Sequence, residues 1–481
     1  MNDLVEQKPW QTIASAVVLT ALAAGMGWGI RGQYGHETGA MIAGTLASLT
    51  LVLIYVPTAP SLFAARAAAM MTVAIGIGGS MTYGQTIGLT QDSNLIGNRH
   101  ALGWGMLGLF IKGALWIGFG GAFLGMGLSG TRYRMREVVA LLLGLVALMY
   151  LGIWILNSPY DPLHKSLPRY YFSADWFWNP HGGDIKPRRE VWGGYMCALT
   201  GLFLYVRFAR RDRLAARLTL FGLIGGGLGF AGGQCLQAFH AWHPEALSDG
   251  WIGSYTQYVN WWNMMETTFG AVWGATMALG VGLNRHLIAV PADVEEVQFS
   301  AIEEVALCAL HVVLLITSSF LDFDDAPAWF DFYLEYGLVM AMLPLIGIIG
   351  GRYWPYLLLL PIAAIPNCGK TLVMLSYNTD RIRPAVGWLT LVELPIAVAT
   401  TLAAWLIVQS LQQQSARKFA AIALLATTVL YFGANTMVFD YAWPWREWTG
   451  RTPNQLLFSI AAISLTILAA ANLRSPVRRH A

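Results

Sequence analysis

Six long polar side chains stand inside otherwise apolar runs of the sequence: Gln85, Lys112, Gln234, Glu266, Lys370 and Glu393. In hydrocarbon an ionisable group costs about 3 kcal/mol on insertion scales, so such residues face a cavity, a partner or one another. Gln85, Gln234 and Lys370 fall about six to eight residues, roughly 10 Å at the helical rise, from the connectors that follow their runs. Lys112, Glu266 and Glu393 fall about eight to eleven residues from the connectors that precede theirs. All six therefore belong to one polar layer.

Two accounts fit such a layer. In the first, Lys370 pairs with Glu266 or Glu393, Lys112 pairs with the other, and the glutamines bond across helices as glue. In the second, the layer lines a pocket for a small polar or anionic solute, which is the reading adopted. Beside it lies the connector from Gly27 to Glu37, whose glycines give backbone freedom and which places Arg31, His36 and Glu37 at a membrane edge. An interfacial turn with a surface ion pair is the alternative there. Its glycine spacing is not a nucleotide fingerprint, because no strand precedes it.

Other chemistry is poorly supported. The segment Asn157 to Arg189 holds His181 and Asp184, but no third ligand follows at a diagnostic spacing, so no metal site is expected. Asn367 to Thr371 ends in Gly-Lys-Thr without the first glycine or the strand of a phosphate-binding loop. There is no HExxH, nucleophile elbow or Lys-Ser dyad, and nothing specifies a cofactor. The aromatics Trp251, Tyr255, Trp261, Trp262, Trp329, Trp443, Trp445 and Trp448 fit an interfacial belt, with a sugar-stacking platform as the alternative.

The elements that position these residues follow from composition. Of 481 residues, 56% are hydrophobic and 12% charged, where a soluble domain has about 25% charged. Apolar runs of roughly 18 to 25 residues match the thickness of a bilayer. They predict an all-α polytopic integral membrane protein of about fourteen spans: 10–30, 38–56, 65–89, 102–128, 137–156, 191–208, 218–240, 255–283, 301–320, 337–349, 354–375, 386–410, 419–439 and 455–472. Alternating the connectors between two sides collects Arg132, Arg134 and Arg136, the cluster from Arg207 to Arg217, and Arg474, Arg478 and Arg479 on one of them. By the positive-inside rule that side is cytoplasmic, with both termini, and 157–189 is external. The cytoplasmic (inner) membrane is the expected location. The first residues lack a basic n-region, so the first span is expected to be retained. No basic block suggests nucleic acid, and Cys197, Cys235, Cys308 and Cys368 form no disulfide framework.

Gly-polar motifs recur at Gly84-Gln85, Gly233-Gln234 and Gly369-Lys370, each followed by a span carrying Lys112, Glu266 or Glu393. This suggests parallel repeats of four spans: 1–136, 137–300, 301–416 and a half unit, 417–481. Clustered glycines serve close helix packing or broken helices. The leading expectation is a transporter with the bilayer and a small polar solute as partners. The alternatives are an outer-leaflet enzyme acting on a lipid-linked or glycan substrate and a non-catalytic scaffold subunit.

Overall fold

The computed structural model describes residues 9–31, 37–79, 81–164, 166–173, 187–291, 296–320, 345–352, 372–411, 415–438 and 447–474. Among them there are helices and no strands. The principal helices are α1 (Pro9–Arg31), α2 (Glu37–Tyr55), α3 (Ser61–Gly78), α4 (Gly84–Gln91), α5 (Arg99–Leu128), α6 (Met135–Leu156), α7 (Trp192–Leu204), α8 (Arg213–Trp242), α9 (Trp261–Leu283), α10 (Ala301–Phe320), α11 (Leu394–Leu411), α12 (Ala416–Val438) and α13 (Thr452–Arg474). Eight helices among the described residues are long and apolar enough to cross a bilayer. That is the architecture of a polytopic helical membrane protein. The expected spans 337–349 and 354–375 lie largely outside the described residues.

Helix starts follow ordinary capping chemistry. Asn98, Asp212 and Asn260 each precede a long helix and accept the backbone N–H of Ala101, Ala215 and Asn263 at 3.1, 2.9 and 2.9 Å. Asp212 also receives the hydroxyls of Ser129 (2.6 Å) and Tyr133 (2.8 Å), which ties the α5–α6 connector to the start of α8. Burial beside that carboxylate pushes the Tyr133 phenol well above its ordinary value, so it remains a donor.

The centre of the bundle is α5, packed on α8 and α3, with α9 between α8 and α1. Small residues allow this approach. A Cβ on Gly226 would collide with the Gly113 carbonyl, one on Gly121 with the Leu218 carbonyl, and one on Gly222 with the Ile117 carbonyl. Because both surfaces in contact are helix backbone, neither can yield cheaply. The same device joins α9 to α1, where a Cβ on Gly270 would strike the Ala24 carbonyl. Close backbone contact replaces the hydrophobic drive that lipid does not supply.

The third expected span, 65–89, is divided. Helix α3 stops at Gly78, residues 81–83 are non-helical, and the short α4 starts at Gly84. The seventh expected span is by contrast one uninterrupted helix, α8, of 30 residues.

Gly226→Ala should lower stability by about 1–3 kcal/mol through overpacking against the Gly113 carbonyl. Gly232→Ala, on the same helix with open space around it, should change it by less than about 1 kcal/mol. Thermal unfolding of the two purified variants in one detergent checks this; equal losses would show that the seam does not govern packing.

Candidate functional site

The break between α3 and α4 is the scaffold of the site. Carbonyls at the end of a helix lack intrahelical donors, and here they are met by side chains of neighbouring helices. Trp116 Nε1 donates to the Ile75 carbonyl at 2.7 Å, and Tyr195 Oη donates to the Ile77 carbonyl at 2.5 Å. Gly78 is required where it stands, because a Cβ would overlap the Trp116 indole. The fully buried Trp116 and Tyr195 thus hold the non-helical segment open inside the bundle.

Two buried ion pairs flank that segment, one reached through Thr82 and the other through Tyr83. On the Thr82 side, Lys112 Nζ donates to the Thr82 carbonyl, to Thr86 Oγ1 and to Glu190 Oε1, each at 2.7 Å. All three ammonium protons are used. Glu190 in turn accepts Phe172 N–H at 2.9 Å and the Ser173 hydroxyl at 2.8 Å. This cluster is closed, and it anchors the connector before α7 onto α4 and α5. Trp104 reinforces the anchor by donating to the Tyr171 carbonyl at 2.8 Å.

On the other side, Arg31 Nη1 donates to Tyr83 Oη at 2.5 Å, and Tyr83 Oη donates to Glu266 Oε1 at 2.9 Å. The guanidinium lies 3.5 Å from the same carboxylate oxygen. Arg31 comes from the end of α1 and Glu266 from the second turn of α9, and both side chains are shut off from solvent. The cation also sits over the rings of Trp28 (5.0 Å), Trp116 (5.0 Å) and Tyr83 (5.3 Å). Three aromatic faces share the stabilisation of its charge with the carboxylate. Phe230, Phe269 and Trp262 complete the wall, Trp262 stacking on Tyr83 at 6.4 Å.

Three carboxamide oxygens on α8 and α9 are buried with no hydrogen-bond partner among the described residues: Gln234 Oε1, Gln237 Oε1 and Asn263 Oδ1. Gln234 uses its other end to donate to Thr90 Oγ1 at 2.7 Å, and Asn263 donates to the Gly29 carbonyl. Buried acceptors of this kind call for water or solute, since burial without a bond costs about 1–3 kcal/mol each.

Members of the expected layer that are described take partners other than those expected of them. Arg31 and Glu266 meet; Lys112 pairs with Glu190 instead of Glu266 or Glu393; Gln85 accepts the Arg188 backbone N–H at 3.0 Å. Glu393 ends a π-helical turn, Trp388–Glu393, and is exposed, apart from the Arg31 network. His36 and Lys370 lie outside the described residues, as do His181 and Asp184; Glu37 opens α2, and its side chain is likewise not described. Sequence reasoning passed over Glu190, which sits one residue beyond the expected loop end at Arg189, and Tyr83, which immediately precedes the Gly84-Gln85 motif. A tyrosine two residues before the Gly84-Gln85 pair's glutamine was the available signal. Among the described residues no three His, Cys, Asp or Glu side chains gather as a metal site. Comparison with known protein families, curated proteins and solved structures yields no match.

Lys112→Met and Glu190→Gln should each cost about 3–5 kcal/mol, because each strands a buried charge, and the double variant should recover much of the loss. Unfolding midpoints of the three purified variants decide this; single variants as stable as the parent would show that the cluster is hydrated.

Proposed function

We propose that the chain is a transporter of about fourteen spans in the cytoplasmic membrane, that it carries a small polar or anionic solute, and that the Arg31 end of the bundle faces outward. The observation that carries this reading is the non-helical segment between Gly78 and Gly84, with the Arg31–Tyr83–Glu266 network against it. Irregular backbone at membrane depth is tolerated where protein or a water-filled cavity surrounds it, and discontinuous helices form the binding sites of many transporters. The chemistry of the network suits the task. Because aromatic rings share the Arg31 charge, Glu266 can exchange its partner, a proton or a solute group without stranding the cation. The unpartnered oxygens of Gln234, Gln237 and Asn263 supply acceptors on the two helices that face it. Basic residues gathered at the opposite end support the orientation.

In proteoliposomes of a variant lacking the four native cysteines, Asn263→Cys should react with a membrane-impermeant maleimide from each side in turn as the site reorients. Reaction from neither side of a folded protein would make the network a static core element and end the transport reading. Glu266→Gln keeps the acceptor for Tyr83, so it should change stability by less than about 2 kcal/mol while holding Asn263→Cys reactive from one side only. The same labelling measures it.

A further inference from the structure

At the end of the bundle opposite Arg31, a partly open cavity lies between the start of α3, the end of α5 and the segments around Pro291, Gln298 and Ile349. Its volume is about 50 Å³, room for a small polar group and a few waters, and it opens to solvent at the mouth. Its two halves differ in chemistry. Phe63 and Met70 of α3 and Met126 of α5 form an apolar wall, while Arg66, Thr131, Arg132 and Gln298 form a polar one. Phe63, Arg66 and Met70 occupy one face of α3 by their spacing of three and four residues.

The polar half is basic. Arg66 Nε donates to the Ile348 carbonyl at 3.0 Å, which fixes the guanidinium at the cavity. Arg132 pairs with Glu296, both partly exposed at the mouth, an arrangement worth little and readily exchanged for another anion. The neighbouring carboxylates are otherwise engaged: Asp212 by Ser129, Tyr133 and Ala215, and Glu137 by Arg210 and Tyr205. Two neutral donors stand ready. The Thr131 hydroxyl has no partner among the described residues. Gln298 spends its Oε1 on the Met135 N–H at 2.8 Å, which leaves the amide Nε2 hydrogens unused there.

We propose that this cavity is a phosphate site, in which Arg66, Arg132, Thr131 and Gln298 hold the phosphoryl group and the wall of Phe63, Met70 and Met126 takes the apolar part of the ligand. The chemistry is that of a phosphate ester. An anionic phospholipid headgroup supplies it from the membrane, and free phosphate supplies it from solution; basic pockets between helices near the bilayer surface take such headgroups. The proposal is independent of the transport reading, since it concerns the other end of the molecule.

The test is thermal unfolding of the full chain, purified in a neutral detergent, against rising phosphatidylglycerol, phosphatidylcholine or inorganic phosphate. Phosphatidylglycerol should raise the midpoint saturably and phosphatidylcholine should not. Arg66→Gln and Arg132→Gln should each weaken the apparent affinity about tenfold, through loss of charge-assisted hydrogen bonds, while Arg134→Gln, an exposed neighbour outside the cavity, should respond like the parent. Should Arg66→Gln fail to fold, Thr131→Val carries the same comparison with a smaller, few-fold loss. A phosphatidylglycerol shift that inorganic phosphate does not compete away assigns the lipid as ligand. Competition, or an equal shift by phosphate alone, assigns the free anion; both support the site. Equal responses in the parent and all cavity variants, or no response to either phosphate compound, would overturn it.

Discussion

A backbone carbonyl released from a helix inside an apolar bundle must find a donor, and the centre of this protein is organised around that requirement. The break after Gly78 frees carbonyls inside the bundle. Trp116 from α5 and Tyr195 from α7 reach them, so two large buried side chains are fixed by what the backbone of α3 lacks. Their fixation in turn shapes everything near them: Trp116 is one of the three rings around Arg31, and the segment it stabilises presents Thr82 to one ion pair and Tyr83 to the other.

The two pairs show how the same charges take different characters from their surroundings. Lys112 is saturated by three acceptors and its carboxylate by further donors, which makes the cluster rigid and dependent on every member. Arg31 depends less on any single partner, because rings provide diffuse attraction where the lysine has point acceptors. Adjacent residues of one short segment thus contact two ion pairs of different make-up.

Helix placement was largely legible from the sequence, since apolar run length and hydrogen-bond closure leave few choices in hydrocarbon. The ends of α1, α2, α5, α6, α12 and α13 fall within a few residues of those expected. The division of 65–89 was not legible, because Gly76, Gly78, Gly79 and Gly84 are equally at home in a packed continuous helix. What separates the two outcomes is the presence of Trp116 and Tyr195 across the bundle, a tertiary fact. Pairing was unreadable for the same reason: depth along a run says which residues share a level and nothing about azimuth. Lys112 of α5 meets Glu190 and Glu266 of α9 meets Arg31 of α1, and rotation about the helix axes decides it.

The Arg31–Glu266 contact joins residues 235 apart in the chain (266 − 31). At about 5–20 residues per second of synthesis, roughly 10–50 seconds separate the emergence of the cation from that of its carboxylate. During this interval α1 is already a candidate for insertion, with a charge at its end and its counter-ion not yet made. Trp28 is on the same helix, three residues away, and Tyr83 follows Arg31 by 52 residues (83 − 31), so both rings are synthesised within the first quarter of that wait. The aromatic cage is therefore also a temporary shelter, which lets the order of translation run ahead of the order of pairing.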